Sequence, residues 1–215
     1  MAADPGWDEA RVRSHVSRET GDKLALLAAE LARWQAIKNL VGPGTLDQVW
    51  SRHIADSLQL VEIAPDAHAW LDLGSGAGFP GLVIAIAISG RAGARVDLVE
   101  SNGRKCTFLR HAARVTGAPA RVHEGRIETL VQSFPGKVDV VTARALASLP
   151  QLLGWAGELL KTGAIGLFPK GRDAAAELTE AEKSWRFNAE LLPSRTDSQA
   201  RIVRVRSFEG PRPAP

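Results

Sequence analysis

The sequence predicts an α/β protein, with a doubly wound, mostly parallel sheet, helices on both faces and an α-helical N-terminal segment. From residue 67 onward, short apolar runs alternate with helical patterns, which is typical of a parallel sheet covered on both faces. Before residue 67, apolar side chains recur only at helical spacing. Residues 70–81 read W-L-D-L-G-S-G-A-G-F-P-G, which predicts a buried strand, a sharp glycine turn and the start of a helix.

The N-terminal segment, residues 1–66, is predicted to hold two helices. Residues 24–34 and 49–61 each carry apolar side chains at helical spacing. The sequence N-L-V-G-P-G-T at 39–45 separates them, because glycine and proline interrupt helices. Thr45 with Gln48 has the pattern of a capping box opening the second helix.

Residues 67–208 are predicted to form one domain of alternating strands and helices. The predicted strands are Ala69–Leu73, Ala94–Glu100, Ala120–Glu124, Val138–Ala143 and Ala164–Phe168. The predicted helices are Gly81–Ser89, Arg104–Thr116, Ile127–Phe134, Leu149–Leu160 and Asp173–Trp185. Two further strand-like runs, Arg186–Leu192 and Arg201–Phe208, predict an antiparallel pair at a sheet edge. Residues 209–215 are rich in proline, and we expect a disordered tail there.

Composition narrows the class of protein further. The 215 residues contain no apolar run near the ~20 residues that a membrane span needs. The polar, acidic N-terminus does not resemble a signal peptide, and the single cysteine, Cys106, excludes an internal disulfide. We therefore expect a cytoplasmic protein without membrane or metal partners. Net charge is only +3, but basic residues cluster at 104–126 and 195–212, as on an RNA-binding surface or a merely solvated helix face.

The glycine turn predicts a nucleotide-like cofactor, and Glu100 at the end of the second strand is placed to bind ribose hydroxyls. A G-x-G-x-x-G count from Gly74 fails, because its last position is Phe79. A count from Gly76 succeeds but places Pro80 in the turn. Proline lacks an N–H that a pyrophosphate needs at a helix N-terminus.

Asp72, just before the glycines, would repel a diphosphate but suits the cationic sulfonium of S-adenosyl-L-methionine. The residues therefore favour the methyl donor. An NAD(P)-linked oxidoreductase remains the alternative.

The sequence also limits the atom that is methylated. The Asn/Asp-Pro-Pro-aromatic tetrad common in exocyclic amine methylases is absent, since residues 142–145 read T-A-R-A. Pyrimidine C5 chemistry needs a thiolate nucleophile, and Cys106 is predicted to be a core residue instead. A ring nitrogen with a free lone pair, such as guanine N7, needs neither the tetrad nor a thiolate nucleophile.

Several motifs resemble, in order, those of one bacterial family. They are W-Q-A-I-K-N-L at 34–40, R-H-I-A-D-S-L at 52–58, the loop at 72–81, S-N-G-R-K-C-T-F-L-R at 101–110, G-R-I-E at 125–128, A-R-A-L-A-S-L at 143–149 and K-G at 170–171. The family is that of the small-subunit ribosomal RNA methyltransferase G, also known as glucose-inhibited division protein B. The resemblance covers residues 31–170 and implies methylation of guanine N7 in the 530 loop of 16S ribosomal RNA, with S-adenosyl-L-methionine as donor.

The resemblance also implies roles for particular residues. The donor would be bound by Gly74, Gly76, Phe79, Glu100, Ile127, Glu128 and Arg144. The RNA, as free 16S RNA, an assembly intermediate or the 30S subunit, would be contacted by Asn39, Arg52, His53 and Lys170. No general base is required, and Arg144 and His53 would position the acceptor.

Purely structural roles remain open for several of these residues. His53 would then be a partly buried histidine paired with Asp56, and Lys170 would only end a strand near solvent. A non-catalytic RNA-binding module on the same fold is the remaining functional alternative.

Overall fold

Seven strands form one mixed sheet in the order β3-β2-β1-β4-β5-β7-β6 in the computed structural model, which describes residues 6–38, 46–134 and 138–213. The strands are β1 Ala69–Leu73, β2 Arg95–Glu100, β3 Ala120–Glu124, β4 Val140–Thr142, β5 Ile165–Lys170, β6 Trp185–Pro193 and β7 Arg201–Pro211. Strands β1 to β5 pair in parallel, and β7 runs antiparallel between β5 and β6. The predicted fold class and the antiparallel edge pair are confirmed.

Helices cover both faces of the sheet. They are α1 Glu9–Ser14, α2 Arg18–Lys38, α3 Asp56–Ile63, α4 Gly81–Ala87, α5 Gly103–Thr116, α6 Ile127–Leu130, α7 Leu149–Lys161 and α8 Ala174–Ser184. A 3-10 turn at Leu46–Gln48 and a π-helical segment at Val49–Ala55 lead directly into α3. Within the described ranges, no helix is long and apolar enough to cross a membrane.

Successive residues of β1 point into two separate hydrophobic cores, because side chains alternate across a strand. Trp70 packs on the face covered by α2, α4 and α5, with Leu82 among its core neighbours. Leu71 packs on the face covered by α7, with Leu152. A strand buried on both faces reads as an apolar run, as the sequence of β1 does.

The N-terminal segment shares the first of these cores. Leu24 and Leu31 of α2 and Leu60 of α3 are fully buried in the core that contains Leu82. On its polar side, α2 meets α5 through Glu30 Oε2, which lies 2.8 Å from His111 Nε2. The segment is therefore packed against the sheet domain as one body.

Several predicted boundaries need correction. Strand β7 runs to Pro211 and pairs with the start of β6, so residues 209–211 belong to the sheet and not to a disordered tail. The helix predicted at Ile127–Phe134 is the short α6 followed by a 3-10 turn. The helix breaker at 39–45 and its Thr45 cap lie outside the described residues.

Candidate active site

A cleft of about 1610 Å³ opens at the carboxyl ends of the strands, where the strand order reverses between β1 and β4. Ligands of open α/β sheets bind at this switch point. Every predicted site residue that the structure describes lines this cleft: Gly74, Gly76, Phe79, Glu100, Ile127, Glu128, Arg144, Arg52, His53 and Lys170. Asn39 lies outside the described residues.

The glycine loop forms the floor of the cleft. Gly74 and Gly76 both have left-handed backbones, with φ of 67° and 57°. A Cβ on Gly74 would lie 2.6 Å from Leu146 Cδ1, so Leu146 would have to move to admit a larger residue there. A Cβ on Gly76 would meet only the Gly74 carbonyl oxygen at 3.8 Å. It would therefore occupy open space in the cleft, where a ligand can approach the backbone closely.

Glu100 ends β2 beside this loop and is only 8% exposed. Its Oε2 accepts a 2.9 Å hydrogen bond from the Gly76 N–H, and its Oε1 accepts one of 2.8 Å from the Asn102 N–H. A carboxylate offers about four lone pairs, so acceptor capacity remains for two hydroxyl groups. The geometry fits the predicted contact with a ribose.

Ile127 and Glu128 lie on the next side of the cleft, at the start of α6. The turn between β3 and α6 is held to β2 by the Gly125 N–H, which donates to the Glu100 carbonyl at 3.0 Å. Ile127 is half-buried and packs against the second core, whereas Glu128 is exposed. An apolar edge beside a carboxylate suits the flat face and amino group of an adenine.

Asp72 does not face the cleft, which corrects the role predicted from its position before the glycines. The residue is fully buried, and its Oδ2 accepts a 3.1 Å hydrogen bond from the Gly81 N–H at the start of α4. Burial raises the pKa of this carboxyl to about 7. Asp72 therefore supports the loop from behind and lies too deep to meet a sulfonium directly.

Arg144 follows β4 and binds the N-terminal segment across the cleft. Its Nη1 donates to the Arg52 carbonyl at 2.7 Å and to Asp56 Oδ2 at 3.2 Å, and its Nη2 lies 2.8 Å from His53 Nδ1. Its guanidinium carbon lies 5.7 Å from the centre of the Phe79 ring. Arg144 thus connects Phe79 of the glycine loop with the N-terminal segment on the opposite side of the cleft.

The imidazole of His53 stacks on Phe79, with ring centres 4.8 Å apart and planes 21° apart. Desolvation, with the neighbouring charges of Arg144 and Arg52, lowers the pKa of His53 to about 4. The alternative in which His53 pairs with Asp56 is not observed, because Arg144 binds both side chains. His53 is therefore a neutral aromatic surface at neutral pH.

Sequence reasoning missed the anchoring role of Asp56. Its Oδ1 accepts hydrogen bonds from Gln59 Nε2 at 2.8 Å and Thr196 Oγ1 at 2.9 Å, and its Oδ2 accepts from Arg144. The carboxylate joins α3, the β4 loop and the β6–β7 loop. The R-H-I-A-D-S motif contains Asp56 and so indicated that this residue matters. Nothing near Thr196 in the sequence indicated its contact with Asp56.

Arg52 and Lys170 differ in how freely they face the cleft. Arg52 is exposed. The Lys170 side chain is only 9% exposed, and its Nζ donates to the Ala147 carbonyl at 2.6 Å and to Glu177 Oε2 at 2.7 Å. Lys170 thus fixes the loop after Arg144.

Cys106 lies in the core, as predicted, and not in the cleft. Its Sγ donates to the Glu100 carbonyl at 3.3 Å, and burial raises the pKa of the thiol. Among the residues that the structure describes, no three His, Cys, Asp or Glu side chains are grouped as a metal site.

Fold and site together define a class, the Rossmann-like S-adenosylmethionine-dependent methyltransferases. Two solved structures share the fold at low sequence identity. A Bacillus cereus O-methyltransferase in complex with SAH is 17% identical, has a TM-score of 0.59, and is matched over 84% of this chain and 90% of that one. The Streptomyces achromogenes O-methyltransferase TomG in complex with SAM is 13% identical, has a TM-score of 0.58, and is matched over 96% and 100%.

The chain belongs to the rRNA small subunit methyltransferase G family, whose model matches residues 20–201. The ribosomal RNA small subunit methyltransferase G of Methylorubrum populi is 63% identical over 194 residues, which cover 90% of this chain and 92% of the relative. That of Methylobacterium radiotolerans is 61% identical over 211 residues, which cover 97% and 98%. The resemblance inferred from the motifs is confirmed.

Proposed function

We propose that this chain methylates N7 of a guanine in the 530 loop of 16S ribosomal RNA. Bound S-adenosyl-L-methionine supplies a methyl group made electrophilic by its sulfonium. The observation that carries the proposal concerns the side of the cleft formed by His53 and Arg144, which we call the acceptor wall. There His53 is neutral, and its Nδ1 is already bound by Arg144. Such a surface suits a methyl acceptor that must be oriented but does not have to lose a proton. The names of the relatives support the RNA substrate.

The donor side of the cleft would hold the methyl donor through three features. Gly76 leaves the backbone open to the methionine part, and Phe79 gives an apolar surface beside it. Glu100 has lone pairs left for ribose hydroxyls. Ile127 provides an apolar edge for the adenine. These contacts would fix the reacting carbon at the side of the cleft that faces His53.

Guanine N7 carries an unshared lone pair, so its attack on carbon releases no proton. The chain therefore contributes mainly by positioning the two reactants in line, an effect that is worth several orders of magnitude in rate. Cys106 is buried in the core, which argues against a covalent intermediate on the base. Arg144, paired with Asp56, would keep the acceptor wall rigid during transfer.

On the RNA side, we propose that Arg52 contacts phosphate, because its side chain is exposed at the cleft. Lys170 would contribute mainly by shaping the loop after Arg144, since its ammonium already has two partners. Free 16S RNA, an assembly intermediate and the 30S subunit all carry the target loop, and the reaction would take place in the cytoplasm.

The oxidoreductase alternative is disfavoured by one hydrogen bond. Dinucleotide sites use the N–H groups at the start of the first helix for the pyrophosphate. Here the Gly81 N–H is bound to Asp72, and the preceding residue is Pro80, which has none. A non-catalytic RNA-binding role is disfavoured by Glu100, whose carboxylate lines the cleft and keeps lone pairs for ribose hydroxyls.

The test is transfer of labelled methyl from S-adenosyl-L-methionine by the purified full-length chain to free 16S RNA and to 30S particles. Arg144→Ala should lower the rate by at least ~100-fold, as expected when a positioning group is lost. Arg186→Ala is the matched control, because that arginine is exposed and pairs with Glu209 on β7, away from the cleft lining. Absence of transfer to either RNA by the unaltered chain contradicts the proposal and favours the non-catalytic role, whereas full activity of Arg144→Ala would show that Arg144 does not position the reactants.

A further inference from the structure

The acceptor wall contains a polar atom without a hydrogen-bond partner. Within the described ranges, His53 Nε2 and Asp72 Oδ1 are the buried side-chain nitrogen or oxygen atoms that make no hydrogen bond. Asp72 lies behind the glycine loop, whereas His53 lines the cleft. Buried polar atoms in folded proteins are almost always bonded, so an exception inside a binding cleft calls for a partner that binding brings.

The tautomer of His53 follows from its neighbour. Arg144 Nη2 lies 2.8 Å from His53 Nδ1, and a guanidinium has donors but no acceptor. Nδ1 must therefore present its lone pair to Arg144. Because the neutral imidazole carries a single proton, that proton lies on Nε2. The unpartnered atom is thus an N–H donor.

The orientation of this N–H group is fixed by two contacts with the ring and by a third that holds Arg144. Phe79 stacks under the ring, Arg144 holds Nδ1, and Asp56 holds Arg144 through an ion pair whose side chains are 15% and 17% exposed. Asp56 is itself held by Thr196. A donor fixed in this way recognises one acceptor position and costs little further ordering when an acceptor binds.

We propose that the Nε2–H of His53 donates a hydrogen bond to O6 of the target guanine and so selects guanine over adenine. This inference rests on the proposed function, since it concerns the base whose N7 is methylated. Guanine presents N7 and O6 side by side, both as acceptors, whereas adenine presents the N6 amino group, a donor, in the place of O6. An N–H donor beside the reacting N7 therefore matches guanine and opposes adenine.

Asp56 is a positioning residue in this arrangement. Without its carboxylate, Arg144 loses its ion-pair partner and no longer holds His53 Nδ1 in place. The ring would then sample both neutral tautomers and present a lone pair at Nε2 part of the time. Thr196 contacts the opposite oxygen of the same carboxylate, so its loss leaves the pair of Asp56 and Arg144 in place.

Nitrogen-15 NMR of the full chain, without RNA, tests the tautomer. The unaltered protein at pH 7 should show His53 with a protonated Nε2 and an unprotonated Nδ1. Asp56→Asn should give a mixture of tautomers, and Thr196→Val, the matched control, should keep the single form. A protonated Nδ1 in the unaltered protein, or an unchanged tautomer in Asp56→Asn, overturns this part of the inference.

Base recognition is tested with 16S RNA in which the target guanosine is replaced by 2-aminopurine riboside, which keeps N7 and lacks O6. RNA with inosine at that position is the control, because inosine keeps both atoms. We expect the unaltered chain to methylate the inosine RNA about 10 to 100 times faster, the range typical of a specific base contact. His53→Phe, which retains a ring to stack on Phe79, should lower this ratio to within about 3-fold of unity.

His53→Gln places an amide N–H at a similar reach and should retain part of the discrimination. Equal ratios for the unaltered chain and His53→Phe overturn the proposal. If the unaltered chain methylates no guanine of 16S RNA, the proposed function fails instead, and the NMR measurement still decides the tautomer of His53.

Discussion

Replacing Asp72 by asparagine should remove a pH dependence from the stability of the protein. The carboxyl is fully buried under the glycine loop, and desolvation raises its pKa from 3.8 to about 7. A group whose pKa is raised by folding binds its proton more tightly in the native state than in the unfolded chain. Its contribution to stability is therefore complete below about pH 4 and is lost as the pH rises through about 7.

The size of the effect follows from the shift. A difference of about three pKa units corresponds to about 4 kcal/mol between the extremes, at 1.36 kcal/mol per unit. Between pH 5.5 and pH 8, where the protein is convenient to study, linkage predicts that about 2 kcal/mol of the free energy of unfolding is lost through Asp72. In Asp72→Asn this loss should be absent.

The assay is urea unfolding at several pH values from 5.5 to 8, with the free energy of unfolding of Asp72→Asn subtracted from that of the unaltered chain. The subtraction removes the contributions of all other titrating groups. Thr142→Val is the control, because it removes a buried hydroxyl from the neighbouring strand and nothing that titrates. A difference between wild type and Asp72→Asn that stays constant within about 0.5 kcal/mol would refute the reasoning.

Three further predictions concern the methyl-donor site and the absence of a covalent intermediate. Glu100→Gln should weaken S-adenosylhomocysteine binding by about 10- to 100-fold in calorimetry, because hydrogen bonds to a charged acceptor are worth about 1.5–3 kcal/mol; unchanged affinity would remove Glu100 from the site. Gly76→Ala and Gly93→Ala both place a side chain at positive φ and should each destabilise the fold by about 1–2 kcal/mol, but only Gly76→Ala should weaken donor binding. Cys106→Ala should retain methyl transfer within about 3-fold, and a folded but inactive variant would point to covalent chemistry.

The fold was largely predictable because its signals are local. Strands β1 and β3 have the bounds that the alternation of strands and helices predicted. The last residues of β7 were missed because glycine and proline dominate them, and only pairing with β6 makes them a strand. Tertiary contacts decide such segments, and local sequence does not contain them.

The site was predictable to the level of its residues but not of its contacts. The motifs gave Arg144 and His53, yet the bond between them joins residues 91 positions apart. Asp72 was misjudged for a related reason, since adjacency to the glycine loop does not reveal whether a side chain faces the cleft or the core. The roles of Asp56 and Thr196 likewise appear only when the β6–β7 loop is seen against α3.

The most direct test of the central claim is base-specific cleavage of 16S RNA at N7-methylguanine, after incubation with S-adenosyl-L-methionine in the presence and absence of this protein. We predict one new cleavage site, at a guanine of the 530 loop, that depends on the protein. Methyl incorporation without cleavage, or cleavage outside that loop, would contradict the account.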